Sequence, residues 1–126
     1  MFAGTFRNLD VWQAAMDLAQ TTYAVTERMP NSERYELSRQ MRRAAVSVPS
    51  NVAEGHATKL HGRYRHHLRL AKGSAAELST QLELACRFGY LPQAEWETIE
   101  KHILRVNQLL NGTIRNVSRQ MGERDT

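Results

Sequence analysis

The sequence holds a single cysteine, Cys86, among 126 residues, so it can form no disulfide within the chain and no cysteine-based zinc site. That fits a reducing compartment. Glycine (seven) and proline (three) are also scarce, which disfavours an all-β chain needing a turn every dozen residues or so, and favours long helices. No apolar run approaches the ~20 residues that span a bilayer, and the opening MFAGTFRNLD has no apolar signal segment. The chain reads as a soluble, cytoplasmic protein with no membrane partner. Its length predicts one domain over residues 1–126, with enough surface to bury for a core that needs no metal or disulfide.

What is present is helical periodicity. Apolar residues recur in steps of three and four, the seam pattern of left-handed bundles. The first seam reads Leu9, Trp12, Met16, Ala19, Tyr23 and Thr26, and stops before Pro30. The third reads Tyr64, Leu68, Ala71, Ala75, Leu78, Leu82 and Ala85, with Gly89 as its C-terminal cap. The fourth reads Trp96, Ile99, Ile103, Val106 and Leu110. The second keeps the spacing through Leu37, Met41, Ala44, Val48 and Val52 although Pro49 interrupts it. Proline removes one backbone bond and crowds the carbonyl of Ala45, which predicts one helix kinked at Pro49, with Ser47 and Ser50 placed to satisfy freed backbone groups. Asn31 or Ser32, with Glu33 after them, marks its start and Gly55 its end. Short connections (MPNS, HATKLHG, GYLP) make the expected fold all-α: an antiparallel, up-down-up-down four-helix bundle. The last residues, 118–126, carry no seam and are expected to be a disordered tail.

At about 100° per residue a second apolar line emerges. Val11, Leu18 and Val25 lie seven apart on the first helix, roughly 130° from its seam. Leu70 and Leu84, with Glu77 between them, repeat this on the third, and Val46 and Ala53 oppose the seam of the second. A monomeric bundle needs one stripe per helix. The second stripe therefore predicts a homo-oligomer with these seven apolar residues at subunit contacts.

Catalytic and metal chemistry is not prominent. The residues three before each histidine are Ala53, Thr58, Arg63, Tyr64 and Ile99, so the Glu-x-x-His motif of di-iron bundles is missing. His61, His66 and His67 stand among arginines that repel a cation, which argues against a metal. Lys72, Gly73 and Ser74 lack the preceding glycine of a phosphate loop and lie within a helix, where Gly73 to Ala76 suit close helix packing instead. Cys86 has no histidine partner on its helix and reads as an inert thiol. Glu95, Glu97 and Glu100 complement a helix N-terminus, with Glu97 in position to pair with Lys101. The expectation is a protein that is not an enzyme and has no cofactor.

The charge distribution says more. The net charge of +4 conceals a block from Arg34 to Lys72 with nine basic residues and only two acids, Glu36 and Glu54. The rest of the chain has eight basic and eleven acidic residues. Four of the five histidines also fall in the block, so it gains charge as pH falls toward 6. Arg39, Arg42 and Arg43 are three and four apart on the second helix, and Arg65, Arg69 and Lys72 cluster within roughly 60° on the third. With Lys59 and Arg63 they form the candidate surface for a polyanion, RNA or DNA, with binding that strengthens as the histidines protonate. Tyr64, an aromatic residue inside the region, lies on the seam, so phosphate contact with little base readout is expected. The alternative is a structural adaptor that docks a protein partner, its basic residues merely solvating a rim.

The strings FRNLDVWQAAMDLA, QMRRAAVSVPSNVAEG and YRHHLRLAKGSAAELSTQLELACRFGYL resemble the four-helix-bundle family of 23S rRNA intervening-sequence proteins, a family similar to the accessory protein of diversity-generating retroelements. The resemblance covers Phe6 to about Leu91 by motif and the fourth helix by pattern. Its most specific part is a double arginine followed by Ser-x-Pro-Ser-Asn and Ala-Glu-Gly. It implies a ring-like oligomer, a pentamer, with a basic surface and nucleic-acid binding, and it brings no catalytic residues. Arg42, Arg43, Asn51, Glu54, Gly55, Gly73, Ser74 and Glu77 match the family motif. It also gives Arg42 and Glu54, close to the Val46 and Ala53 face, a second role as ion pairs across a subunit interface. Arg42 and Arg43 fit phosphate contact and subunit contact equally. The histidine- and arginine-rich stretch from His61 to Arg69 departs from the family pattern.

Overall fold

In the computed structural model the described residues are 4–30 and 34–122. Four helices carry the fold: α1 over Asp10–Thr26, α2 over Arg34–Ala57, α3 over His61–Arg87 and α4 over Gln93–Gln120, preceded by one 3-10 turn over Phe6–Asn8. There is no strand among the described residues. The helices pack in a closed cycle, α1 on α2, α2 on α3, α3 on α4 and α4 on α1. Residue numbers rise on one helix as they fall on its neighbour: Ser47 meets Ser74 and Asn51 meets His67 across α2 and α3, while Ser79 meets Glu100 and Arg65 meets Ser118 across α3 and α4. This is an all-α four-helix bundle.

The seams expected on α2, α3 and α4 supply its core. Met41, Ala44, Val48 and Val52 are buried, as are all seven seam residues of α3 and Ile99, Ile103, Val106 and Leu110 of α4, with Leu37 and Trp96 half-buried beside them. Each fully buried Leu or Ile contributes roughly 1.5–3 kcal/mol.

On α1 the structure overturns the expected orientation. Val11, Leu18 and Val25 point into this chain's own core together with Ala15 and Thr22, while Trp12 and Met16 are half-buried and Tyr23 is 44% exposed. The three are core residues, not subunit contacts. The helix has apolar side chains around much of its circumference, so spacing alone fits two orientations. Packing favours the compact aliphatic stripe, and leaves the indole and phenol groups where they can reach water. Thr22 and Thr26 enter the core because their hydroxyls donate to carbonyls of their own helix, Leu18 and Thr22, both at 2.8 Å.

α2 continues through Pro49. Neither Ser47 nor Ser50 bonds the Ala45 carbonyl: Ser47 shares its hydroxyl with Ser74 at 2.8 Å and accepts from Asn51 at 3.0 Å, and Ser50 is exposed. The expected starting residues, Asn31 to Glu33, lie outside the described residues. Gly55 does not end the helix, which runs two residues further. Its place is where α2 crosses α3, since a Cβ there would meet the Cβ of His67 at 2.6 Å and the Cα of Tyr64 at 3.1 Å. The chain then turns through Lys59, a non-glycine residue at φ 60°. Gly89 does cap α3 as expected: at φ 78° it lets Tyr90 N–H bond the Ala85 carbonyl at 2.9 Å and its own N–H bond Cys86 at 3.0 Å.

The expected tail is ordered as far as it is described. α4 runs to Gln120, burying Val117 and Ser118 and packing Met121 against the core, because Val117 and Met121 extend the seam from Leu110. Residues 123–126 lie outside the described residues. Gly73 lines no helix contact, since nothing lies within 4 Å of a Cβ built there.

Candidate nucleic-acid interface

The basic residues of α2 separate by helical position. Arg39 and Arg43, one turn apart, are exposed and form neither ion pair nor hydrogen bond among the described residues. Arg42, beside them, is instead engaged by α1. Its Nε donates to Thr26 Oγ1 at 2.8 Å, its Nη2 donates to Glu27 Oε1 at 3.0 Å, and its guanidinium lies 4.6 Å over the Tyr23 ring. This arginine ties α2 to the end of α1 within one chain, so it fits neither free phosphate contact nor a subunit ion pair.

On α3, Arg63, Arg69 and Lys72 are likewise exposed and without an ion pair among the described residues. Arg65 is half-buried and donates to Ser118 Oγ of α4 at 3.1 Å, which corrects its expected place on the open surface. Lys59 sits in the α2–α3 turn with Nζ 3.4 Å from the Gly4 carbonyl. The Arg65 to Ser118 bond also brings up a pair the sequence reading missed, Arg115 and Arg119, exposed on the last turns of α4. They lie far outside the basic block, and the residues around Arg119 read as tail. Their spacing of four on a continuing helix was the available signal.

The histidines do not form one binding face. His56 is buried, with its ring 5.4 Å from that of Tyr64 and edge-on to it. Burial, with Lys59 nearby, holds its pKa below the usual 6.5, and burial pushes the Tyr64 hydroxyl up to about 12. His67 turns toward α2, where its Nδ1 is 3.0 Å from Asn51 Oδ1 and 4.0 Å from Glu54 Oε2. His61 is half-buried, so His66 alone of the four stands exposed.

Other expected roles shift too. Glu95 takes a bidentate bond from Arg28, both contacts at 2.8 Å, and Glu100 accepts from Ser79 at 2.8 Å. Glu97 and Lys101 form no ion pair among the described residues. Cys86 is half-buried, and burial with Glu83 nearby raises its pKa. Among the described residues no three His, Cys, Asp or Glu side chains gather to hold a metal, and no helix is long and apolar enough to cross a membrane.

With Val11, Leu18 and Val25 in the core, the residues of the expected second stripe that do stand outward are Val46 at 42%, Leu70 at 44% and Leu84 at 40% exposure. Ala53 is half-buried and Glu54 exposed beside them.

An all-α four-helix bundle is the class this architecture defines. The chain belongs to the family of 23S rRNA-intervening sequence proteins, whose model matches residues 7–112. A crystal structure of a protein of unknown function from Bacteroides thetaiotaomicron, described as of the S23 ribosomal protein family, shares the fold. Its TM-score is 0.77 at 23% identity, covering 83% of this chain and 98% of that one. No curated protein sequence matches the chain.

Proposed function

We propose that this protein is a non-enzymatic, homo-oligomeric nucleic-acid-binding protein that grips RNA phosphates through the exposed cations of α2 and α3. The observation that carries this reading is a set of five such groups, Arg39, Arg43, Arg63, Arg69 and Lys72, none neutralised by an acid among the described residues. Solvated protein faces usually mix signs, whereas unpaired cations on neighbouring helices suit a polyanion whose counterions they displace. Membership of a family named for sequences intervening in 23S rRNA supports RNA over a purely protein partner. In the line Ser47, Asn51, His67 the asparagine amide separates the histidine from the serine hydroxyl, so His67 reaches no nucleophile.

Assembly would use Ala53, Leu70 and Leu84, outward residues of the expected second stripe, with Glu54 at their edge and five copies as the family resemblance implies. Titration of RNA and duplex DNA at several salt concentrations tests the reading. Binding at ~50 mM salt that weakens steeply toward 200 mM supports it, and no binding at ~50 mM overturns it.

A further inference from the structure

A groove of about 770 Å³ spans the outer side of α2, with Tyr23 of α1 and Glu77 and Gln81 of α3 among its walls. That volume lies within the range of small-ligand sites. Arg39 and Arg43 line it and have no partner of their own, while Arg42 is held over the Tyr23 ring by its bonds to α1. Ala44 and Val46 add apolar surface. The decisive feature is Gln81. It is only 7% exposed, and its Oε1 is buried with no hydrogen-bond partner. Buried amides are nearly always bonded, so an unbonded one lining a groove marks a side chain that a ligand satisfies by drawing the amide outward into the groove.

Phosphate alone does not match this lining. Glu36 and Glu77 lie in the same groove and repel it, and an amide oxygen is an acceptor, which phosphate does not satisfy. The lining asks for three things in one molecule: an anion for Arg39 and Arg43, a flat body beside the fixed guanidinium and the apolar surface, and an edge that both donates and accepts for Gln81. A nucleotide has all three. A glutamine amide matches the N6 donor and N7 acceptor of adenine in a paired contact, and the two carboxylates suit ribose hydroxyls. We propose that this groove takes one unstacked adenine nucleotide of a single-stranded RNA, its phosphate on Arg39 and Arg43 and its base edge on Gln81. The assignment rests on the RNA-binding reading and adds base selectivity to it.

The test is titration of the full chain with AMP, UMP and inorganic phosphate, and with oligo-A and oligo-U, for wild type, Gln81→Met and Arg43→Ala. Circular dichroism reports the fold of each variant. AMP is expected to bind more tightly than UMP by between about fivefold and 150-fold, the worth of one paired base contact, and Gln81→Met to erase that preference. Arg43→Ala should weaken both nucleotides alike. Equal binding of AMP and UMP, inorganic phosphate binding as tightly as AMP, or an adenine preference that survives Gln81→Met overturns the assignment. Salt-dependent binding of both oligomers without preference sinks the groove assignment and leaves the phosphate-binding reading intact. If neither oligomer binds at ~50 mM salt, the RNA-binding reading falls, and the AMP titration still judges the groove.

Discussion

Arg42 Nε donates to the buried hydroxyl of Thr26 at 2.8 Å, fixing α2 to the last turn of α1 while Arg43, the next residue, stays without a partner. Two adjacent arginines therefore have opposite duties. Arg42→Ala should destabilise the fold by roughly 1–2 kcal/mol, since it removes a hydrogen bond from a charged donor and leaves Thr26 underbonded. Arg43→Ala should leave stability within about 0.5 kcal/mol and weaken RNA binding. Urea melts beside RNA titrations separate the two.

Glycines give a second contrast. Gly55→Ala should cost roughly 1–3 kcal/mol, because the new methyl meets the Cβ of His67 and the backbone of Tyr64 with no flexible end to yield. Gly73→Ala enters open space and should stabilise α3 by about 0.5–1 kcal/mol. Thermal melts of the pair check both signs.

Leu18→Glu should unfold the protein, since Leu18 is fully buried in the core. Leu84→Glu should keep helix content and shift the protein toward monomer, because Leu84 is exposed on the outer face of α3. Light scattering with circular dichroism distinguishes the outcomes.

The buried His56 makes stability depend on pH. Its pKa is lowered in the fold, so below about 6.5 the unfolded chain takes up a proton that the folded chain resists. Stability is fully present above that value and is lost as pH falls through it. Urea melts at pH 8, 6.5 and 5.5 should show the loss, and the slope attributable to this group should vanish in His56→Gln.

Much of the bundle was legible because the core seams of α3 and α4 keep strict spacing, from Tyr64 to Ala85 and from Ile99 to Leu110. α1 was not. Its apolar residues surround the helix, Ala15 and Thr22 signal neither face, and only packing against α2 and α4 chooses Leu18 over Met16. The basic block was visible as composition, but the partners of Arg42 and Arg65 come from α1 and α4, and no local pattern reveals them. Arg115 and Arg119 were hidden because the helix continues past residue 117 on two seam residues, Val117 and Met121, beyond a run of polar ones.

Five unpaired cations on α2 and α3 are expected to hold RNA phosphates. The most direct measurement is the slope of log affinity against log salt for a single-stranded RNA, in wild type and in an Arg69→Ala, Lys72→Ala double variant. With about 0.7 per phosphate contact, five contacts predict a slope near −3.5 for wild type and near −2 for the double variant, with the fold unchanged. A slope near zero, or the same slope in both proteins, would contradict the account.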